Sequence, residues 1–367
     1  MLKVFESVRR MSVIVPLVLM VLVASVSSPS VLNSAEPRTY HNTLTPLGNQ
    51  PPLLADFPQF VQPIVEPDRF EAPVLIDDDE ADLEVRAWRY SYNARGIIEI
   101  PNRLRASRTA VLVVHPWGID DGQGWQTPEP AGVAFAGTFD KNQLMLRHAR
   151  ETINPLLKRL RKSAGLVGYS LPGREDAIRG KLYRSVHGRP TDEERREGTA
   201  ALTEALASFN YRAGPIPEVI ELSSGRPAID YFRQFPGVDA GPGYNRDGFW
   251  NLPIPVMKAI DTAPDDVVFY DGDGYSALRD FLLAQRIEHV ILCGYHADMC
   301  VCSTTAGFEN LRRDFNVFLV GDAVQATLPA NRDSRFATNQ SVSYAALNLL
   351  ITQTSWIKSR NAAQAAP

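Results

Sequence analysis

Cysteine is scarce in this chain: there are three in 367 residues, Cys293, Cys300 and Cys302. So few thiols in one short stretch exclude a disulfide framework, and Cys300 and Cys302 are too close in sequence for ordinary bridge geometry. The odd count leaves at least one thiol free. A basic surplus is missing too. Lys and Arg number 38 against 42 Asp and Glu, a net charge of −4, and the pI is near 5.9. The positive field that nucleic acids need is not supplied, so nucleic acid is excluded as a partner. Long apolar runs are equally lacking. The longest, Val13 to Ala24, is shorter than a bilayer requires and contains Pro16. There is no internal repeat. What remains is 44% hydrophobic residues, an ordinary fraction for a globular protein.

The apolar run does have a context. Lys3, Arg9 and Arg10 precede it and small residues follow as far as Ala35, the order of an export signal. Residues 1–35 are therefore expected to be a signal peptide, with cleavage after Ser27 or Ala35. The alternative is an uncleaved N-terminal anchor. After cleavage no stable membrane insertion is expected, and the exported chain, periplasmic or secreted, is more acidic than the whole. From Glu36 to Pro73 the sequence is rich in Pro and Asn without a sustained period, which reads as a linker or an arm lying on the surface. Residues 84–100 alternate polar and apolar around Asn93–Gly96, predicting a β-hairpin extension within 74–108, with Pro101 blocking continuation.

A strand–helix alternation then begins. Apolar runs at Thr109–Val114, Gly165–Ser170, Asp266–Tyr270, His289–Gly294 and Asn316–Val320 suit buried parallel strands. Helical periodicity marks 144–160, 276–287, 301–313 and 341–352. The implied fold class is α/β, a mostly parallel sheet sandwiched by helices in three Rossmann-like layers. This domain would span 109–355, with an insertion at about 171–265 placed to form a lid or a subunit contact, and a disordered tail at 356–367.

Ligands of open α/β sheets bind outside the carboxyl ends of the strands. The residues found there are His115 to Asp121, then Asp271 to Gly274, then Gly294 to Cys302, then Gly321 and Asp322. Cys300 stands out because it opens a helix, where unpaired N–H groups stabilise a thiolate or an oxyanion. Cys293 within a strand and Cys302 one turn into the helix read as packing residues. The segment Asp271-Gly-Asp273-Gly274 faintly suggests a calcium loop. It lacks the later bidentate Glu, so a turn is the better reading, and no metal or other cofactor is expected.

The run His289-Val-Ile-Leu-Cys-Gly-Tyr-His-Ala-Asp-Met-Cys300-Val301, then Thr305-Ala306 and Val317-Phe-Leu-Val-Gly-Asp322-Ala323, resembles the isochorismatase-like cysteine hydrolases. Tyr275-Ser-Ala-Leu278 resembles the family's Ser-Ala-Phe helix start, and Thr109–Val114 its opening strand. The resemblance spans 109–352 and is densest over 289–323. It implies a parallel sheet between helices and hydrolysis of amides or, in isochorismatase itself, a vinyl ether. Amide-cleaving members use a cysteine nucleophile beside an Asp and a Lys. Only the cysteine, Cys300, carries over. Where the family's Asp closes strand one, this chain has His115; where its Lys closes strand three, it has Tyr270-Asp271-Gly272. Neither Lys258 nor Lys141 is in register to substitute. The resemblance also implies a cis peptide at Tyr295–His296, with the backbone N–H groups of His296 and Cys300 forming an oxyanion hole. The metal-binding Asp and His set of the nicotinamidase branch is not visible.

His115 is then open to two readings. It is a base that forms a thiolate–imidazolium pair with Cys300, oriented by Asp120 or Asp121, or it merely fills the space of the missing Asp. Trp117, Trp125 and Tyr270 are candidates for pocket walls, and the His296 side chain for its rim. Three functions follow. The first is an exported hydrolase acting on a small amide or ester through Cys300 with an altered triad. The second is an inactive pseudoenzyme kept for binding or assembly. The third is a structural envelope protein whose arm, 36–73, pairs with partners. The expected partner is a small-molecule substrate, and a homo-oligomer stays open.

Overall fold

Short Val-, Leu- and Ile-rich runs bounded by turns form the strands, because only two-sided burial stabilises so apolar a segment. In this computed structural model residues 38–117, 139–208, 219, 221–233, 252–326 and 356–357 are described. The chain divides into two compact units, 1–40 and 41–367. Every strand and helix among the described residues belongs to the second unit.

The strands are β1 (Thr45–Leu47), β2 (Arg69–Glu71), β3 (Leu83–Ser91), β4 (Gly96–Leu104), β5 (Thr109–Val114) and β6 (Leu166–Leu171). They continue with β7 (Arg184–Ser185), β8 (Val267–Tyr270), β9 (His289–Tyr295), β10 (Asn316–Gln325) and β11 (Trp356–Ile357). All join one sheet in the order β1-β2-β4-β3-β11-β10-β9-β5-β6-β8-β7. From β11 to β7 every pairing is parallel. The fold is therefore α/β with a mostly parallel sheet. Two apolar clusters flank it: one contains Val111, Val113, Ile291 and Leu157, the other Leu112, Val114, Leu292 and Leu282. Alternate residues of one strand thus feed opposite layers, as the pleat requires.

Three local expectations are corrected. The arm is no free linker: it contributes β1 and β2, and Leu53, Leu54, Phe60 and Val61 are buried. The hairpin does not stop at Pro101. The Pro101 carbonyl accepts from the Leu75 N–H, so the proline nitrogen faces that side too and no ladder bond to β3 is lost. The helix expected over 301–313 is two short turns, Cys300–Ser303 and Phe308–Leu311. Thr304 Oγ1 donates to the Cys300 carbonyl at 2.8 Å and Asn310 Nδ2 to the Thr304 carbonyl at 2.8 Å, local bonds that compete with helix propagation.

Elsewhere the helices run close to expectation. Phe139–His148 passes through a π-turn, Ala149–Ile153, into Asn154–Leu160, which carries Pro155 in its first turn. Gly274–Ala284 covers the 276–287 prediction. The insertion folds into helices Arg179–Leu182, Asp192–Ser208 and Pro227–Arg233, and its β7 extends the sheet edge. Trp356 and Ile357, expected in the tail, pair with β10 and β3. The predicted helix 341–352 and the leader 1–35 lie outside the described residues. Among the described residues no helix is long and apolar enough to cross a membrane.

Candidate active site

Strand order fixes the site. After β5 the chain runs to β6 and β8 on one side, then returns to β9 and β10 on the other. The β5/β9 boundary is thus a switch point, the place where open α/β sheets bind ligands outside the carboxyl ends. His115 follows β5 directly, and Cys300 lies five residues beyond the end of β9. Gly294 lets these ends meet. Its φ is +115°, and a Cβ there would fall inside the Val114 backbone, so only glycine is accommodated. The next peptide, Tyr295–His296, is cis, at the place the resemblance assigned.

His115 has φ +44°, an uncommon backbone for a non-glycine residue and one held where surrounding bonds over-determine it. Its N–H donates to the Ser170 carbonyl at 3.1 Å and to Ser170 Oγ at 3.2 Å. The imidazole is buried, 7% exposed, and its Nε2 lies 2.8 Å from Asp271 Oδ2. Asp271 follows β8, two strands away from β5, about 10 Å across the sheet, a gap the two side chains close between them. The Cys300 thiol is a second neighbour whose side chain also favours the charged ring. Burial alone pushes the imidazole pKa down, but the bonds and charges of Asp271 and Cys300 outweigh it and raise it to about 9. The ring consequently holds its proton more tightly than a free imidazole does.

The Asp271 backbone is itself anchored. Gly272 N–H donates to the Gly173 carbonyl at 2.6 Å, and Thr305 Oγ1 to the Asp271 carbonyl at 3.2 Å. The second carboxylate oxygen, Oδ1, is buried with no hydrogen-bond partner among the described residues. Asp273 pairs with His187 at 3.0 Å, so both carboxylates of the segment hold histidines, which fits a turn. Among the described residues no group of three His, Cys, Asp or Glu side chains could hold a metal ion.

The other thiols are inert. Cys293 is fully buried, its Sγ 3.7 Å from the Leu112 carbonyl, and burial followed by the Asp322 charge pushes its pKa up. Cys302 Sγ lies 3.3 Å from the Ala297 carbonyl. Its pKa is pushed up to about 12 by burial, then by the charges of Glu309, Asp298 and Cys300. Cys300, half-buried, alone has a cationic neighbour among the three. The helical turn it opens has four residues, too short for much of the macrodipole invoked from sequence.

The carboxylate in contact with the ring is Asp271, which the sequence reading assigned to a turn only. Asp120 and Asp121, proposed for that part, lie outside the described residues, as does Trp125. Tyr270 is no pocket wall. It is 1% exposed, with the Arg179 guanidinium 4.8 Å from its ring centroid, because the strand pleat turns it into the core while its neighbour Asp271 reaches the crevice. Trp117 is partly buried against the same core. The His296 ring is buried, 8% exposed, with Nε2 3.3 Å from Met145 Sδ. A signal for Asp271 did exist, since it is the first residue beyond a strand, but its partner two strands away could not be named.

Residues 255–347 match the model of the isochorismatase domain, which includes the stretch where the resemblance was densest. Among solved structures, a cysteine hydrolase from Pseudomonas syringae pv. phaseolicola is 17% identical, with 70% of this chain and 91% of that one covered, at a TM-score of 0.34. A pyrazinamidase of Pyrococcus horikoshii in complex with zinc is 14% identical, covering 68% and 99%, at 0.32. A nicotinamidase from Bacillus subtilis is 11% identical, covering 68% and 99%, at 0.34. No curated protein matches the chain.

Proposed function

We propose that this protein is an isochorismatase-like hydrolase whose nucleophile is Cys300, acting on a small amide or ester; the match of residues 255–347 to the isochorismatase domain model supports the family part of this reading. The single observation that supports this most is the buried His115 ring held by Asp271 at 2.8 Å, with Cys300 among the neighbours that favour its charged form. The amide-cleaving family pattern puts an anion after the first core strand and a cation after the third. Here the signs are exchanged, His115 at the first and Asp271 at the third, and the local sum of one cation and one anion is kept.

The chemistry follows from that ring. His115 carries the proton that Cys300 has lost, giving a thiolate–imidazolium pair. The thiolate attacks the carbonyl carbon and the developing oxyanion is met by the His296 and Cys300 N–H groups. His115 then gives its proton to the departing amine or alkoxide, leaving a thioester on Cys300. Water, deprotonated by the same ring, hydrolyses the thioester, releases the acid and restores the pair. Asp271 holds the ring and stabilises its charged form throughout. Residues 1–35 are read as an export signal, which places this reaction outside the cytoplasm.

The test is alkylation of Cys300 by iodoacetamide at about pH 6, followed on the Cys300 peptide by mass spectrometry. Rapid stoichiometric labelling, slowed by small amides or esters, supports the hydrolase. Reactivity that rises only near about pH 8.5, as for an unassisted thiol, overturns it and leaves a pseudoenzyme.

A further inference from the structure

Behind the crevice lies a second buried histidine that the proposed reaction does not use. His148 ends the helix Phe139–His148 and is 0% exposed. Its Nε2 lies 2.8 Å from the Asp322 carbonyl. A carbonyl only accepts, so Nε2 bears a hydrogen. Nδ1 lies 2.9 Å from the Tyr295 hydroxyl. One turn earlier on the same helix, the Met145 carbonyl is 3.2 Å from that hydroxyl, and Met145 Sδ is 3.3 Å from His296 Nε2. A single helical turn therefore grips the side chains on both sides of the Tyr295–His296 peptide. The other face of the His148 ring is closed by the N-terminal arm. Phe60 meets it edge to face, centroids 5.1 Å apart at 79°, and Arg147 stacks on Phe60 at 5.5 Å. Gln59 Nε2 donates to Glu151 Oε2 at 3.2 Å.

A Leu or Phe would fill this space without two buried polar atoms to satisfy. What the imidazole adds is direction. It ties β10, through Asp322, to the Tyr295 hydroxyl at the end of β9. We infer that His148 is a positioning residue for the Tyr295–His296 peptide, and that the arm takes part in the same support through Phe60. The inference rests on the proposed function, because the group held in place is the His296 N–H assigned to the oxyanion. It gives the arm a task at the site, although the arm lies outside the family match.

Two reactions of one sulfur separate this from general folding. Alkylation by iodoacetamide needs the thiolate but no oxyanion hole; acylation by p-nitrophenyl acetate needs both. In His148→Phe, Cys300 alkylation is expected to stay within about twofold of wild type while the acylation burst slows at least about tenfold, the scale of a displaced oxyanion donor. Tyr295→Phe, which removes one hydroxyl, and Phe60→Ala, on the arm, should show the same split more weakly. They keep the test decisive if His148→Phe does not fold. His148→Gln, which retains a donor and an acceptor, should recover part of the acylation rate. Equal losses in both reactions, or unchanged acylation in folded variants, would overturn the positioning role alone. A wild-type Cys300 inert to both reagents near neutral pH sinks the hydrolase reading, and this inference with it.

Discussion

Replacing Asp271 by Asn isolates the part of the site that sequence reading did not foresee. The side chain keeps its size and one oxygen near His115 Nε2, but the negative charge is gone. His115 is 7% exposed, and burial alone depresses its pKa; the raised value of about 9 depends on Asp271 and Cys300. The rise from 6.5 to about 9 corresponds to roughly 3 kcal/mol of preference for the charged ring. Losing the larger of the two supports removes much of it, and the imidazolium then gives way near neutral pH. Without a cation beside it a thiol ionises near about 8.5, so at pH 6.5 only about one in a hundred is thiolate. Alkylation of Cys300 at pH 6.5 should therefore slow by about 10- to 100-fold, and its pH profile should move up towards 8.5. Cys293 and Cys302 serve as internal controls in the same digest and should stay unlabelled in both proteins. A profile unchanged in Asp271→Asn would refute the claim that this carboxylate sustains the ionised pair.

Three further outcomes are expected. The His115 pKa is raised on folding, so its stabilisation is complete below about pH 6.5 and is lost as pH rises through about 9. Urea titrations should show a decline of about 3 kcal/mol across that window in wild type and its absence in His115→Gln. Gly294→Ala forces a Cβ into the Val114 backbone at φ +115°, which should cost about 1–3 kcal/mol from the backbone conformation and more from the clash; an unchanged melting temperature would contradict the close β5–β9 approach. Arg69 and Glu99 form a buried pair between β2 and β4, with Arg86 Nη1 3.3 Å from the same carboxylate. Arg69→Met should destabilise the protein by about 3–5 kcal/mol, whereas Arg69→Met with Glu99→Leu should recover most of it, read by chemical denaturation.

The arm and the insertion each bear on residues around the site. The arm buries Phe60 against His148, while the first residues of the insertion reach Asp271, with the Gly173 carbonyl bonded to Gly272 N–H and the Arg174 stem lying where a Gly272 side chain would be. A crevice between β5 and β9 is common to many α/β sheets. Segments added outside the family match determine how its floor and rim are held here.

By itself, the sequence determined the parallel core and the place of the candidate sulfur. Apolar runs of four to seven residues rich in Val and Ile and bounded by turn residues suit two-sided strands, and glycine followed by Tyr295, His296 and Cys300 marks a strand's end. Burial patterning acts locally, so it is legible locally. It also separated Cys293, mid-strand, from Cys300. The tertiary structure alone decided which charges flank that sulfur. His115 and Asp271 are 156 residues apart and meet because β6 alone lies between their strands, an order no local period encodes. For the same reason Asp120 and Asp121, nearer in sequence, looked the natural partners of the ring. Which of the arm's residues are buried was illegible on similar grounds. Pro and Asn remove helical and strand periodicity, yet a segment without period can still bury Leu53, Leu54, Phe60 and Val61 once a complementary surface exists, and that surface forms only when the helix and sheet have come together.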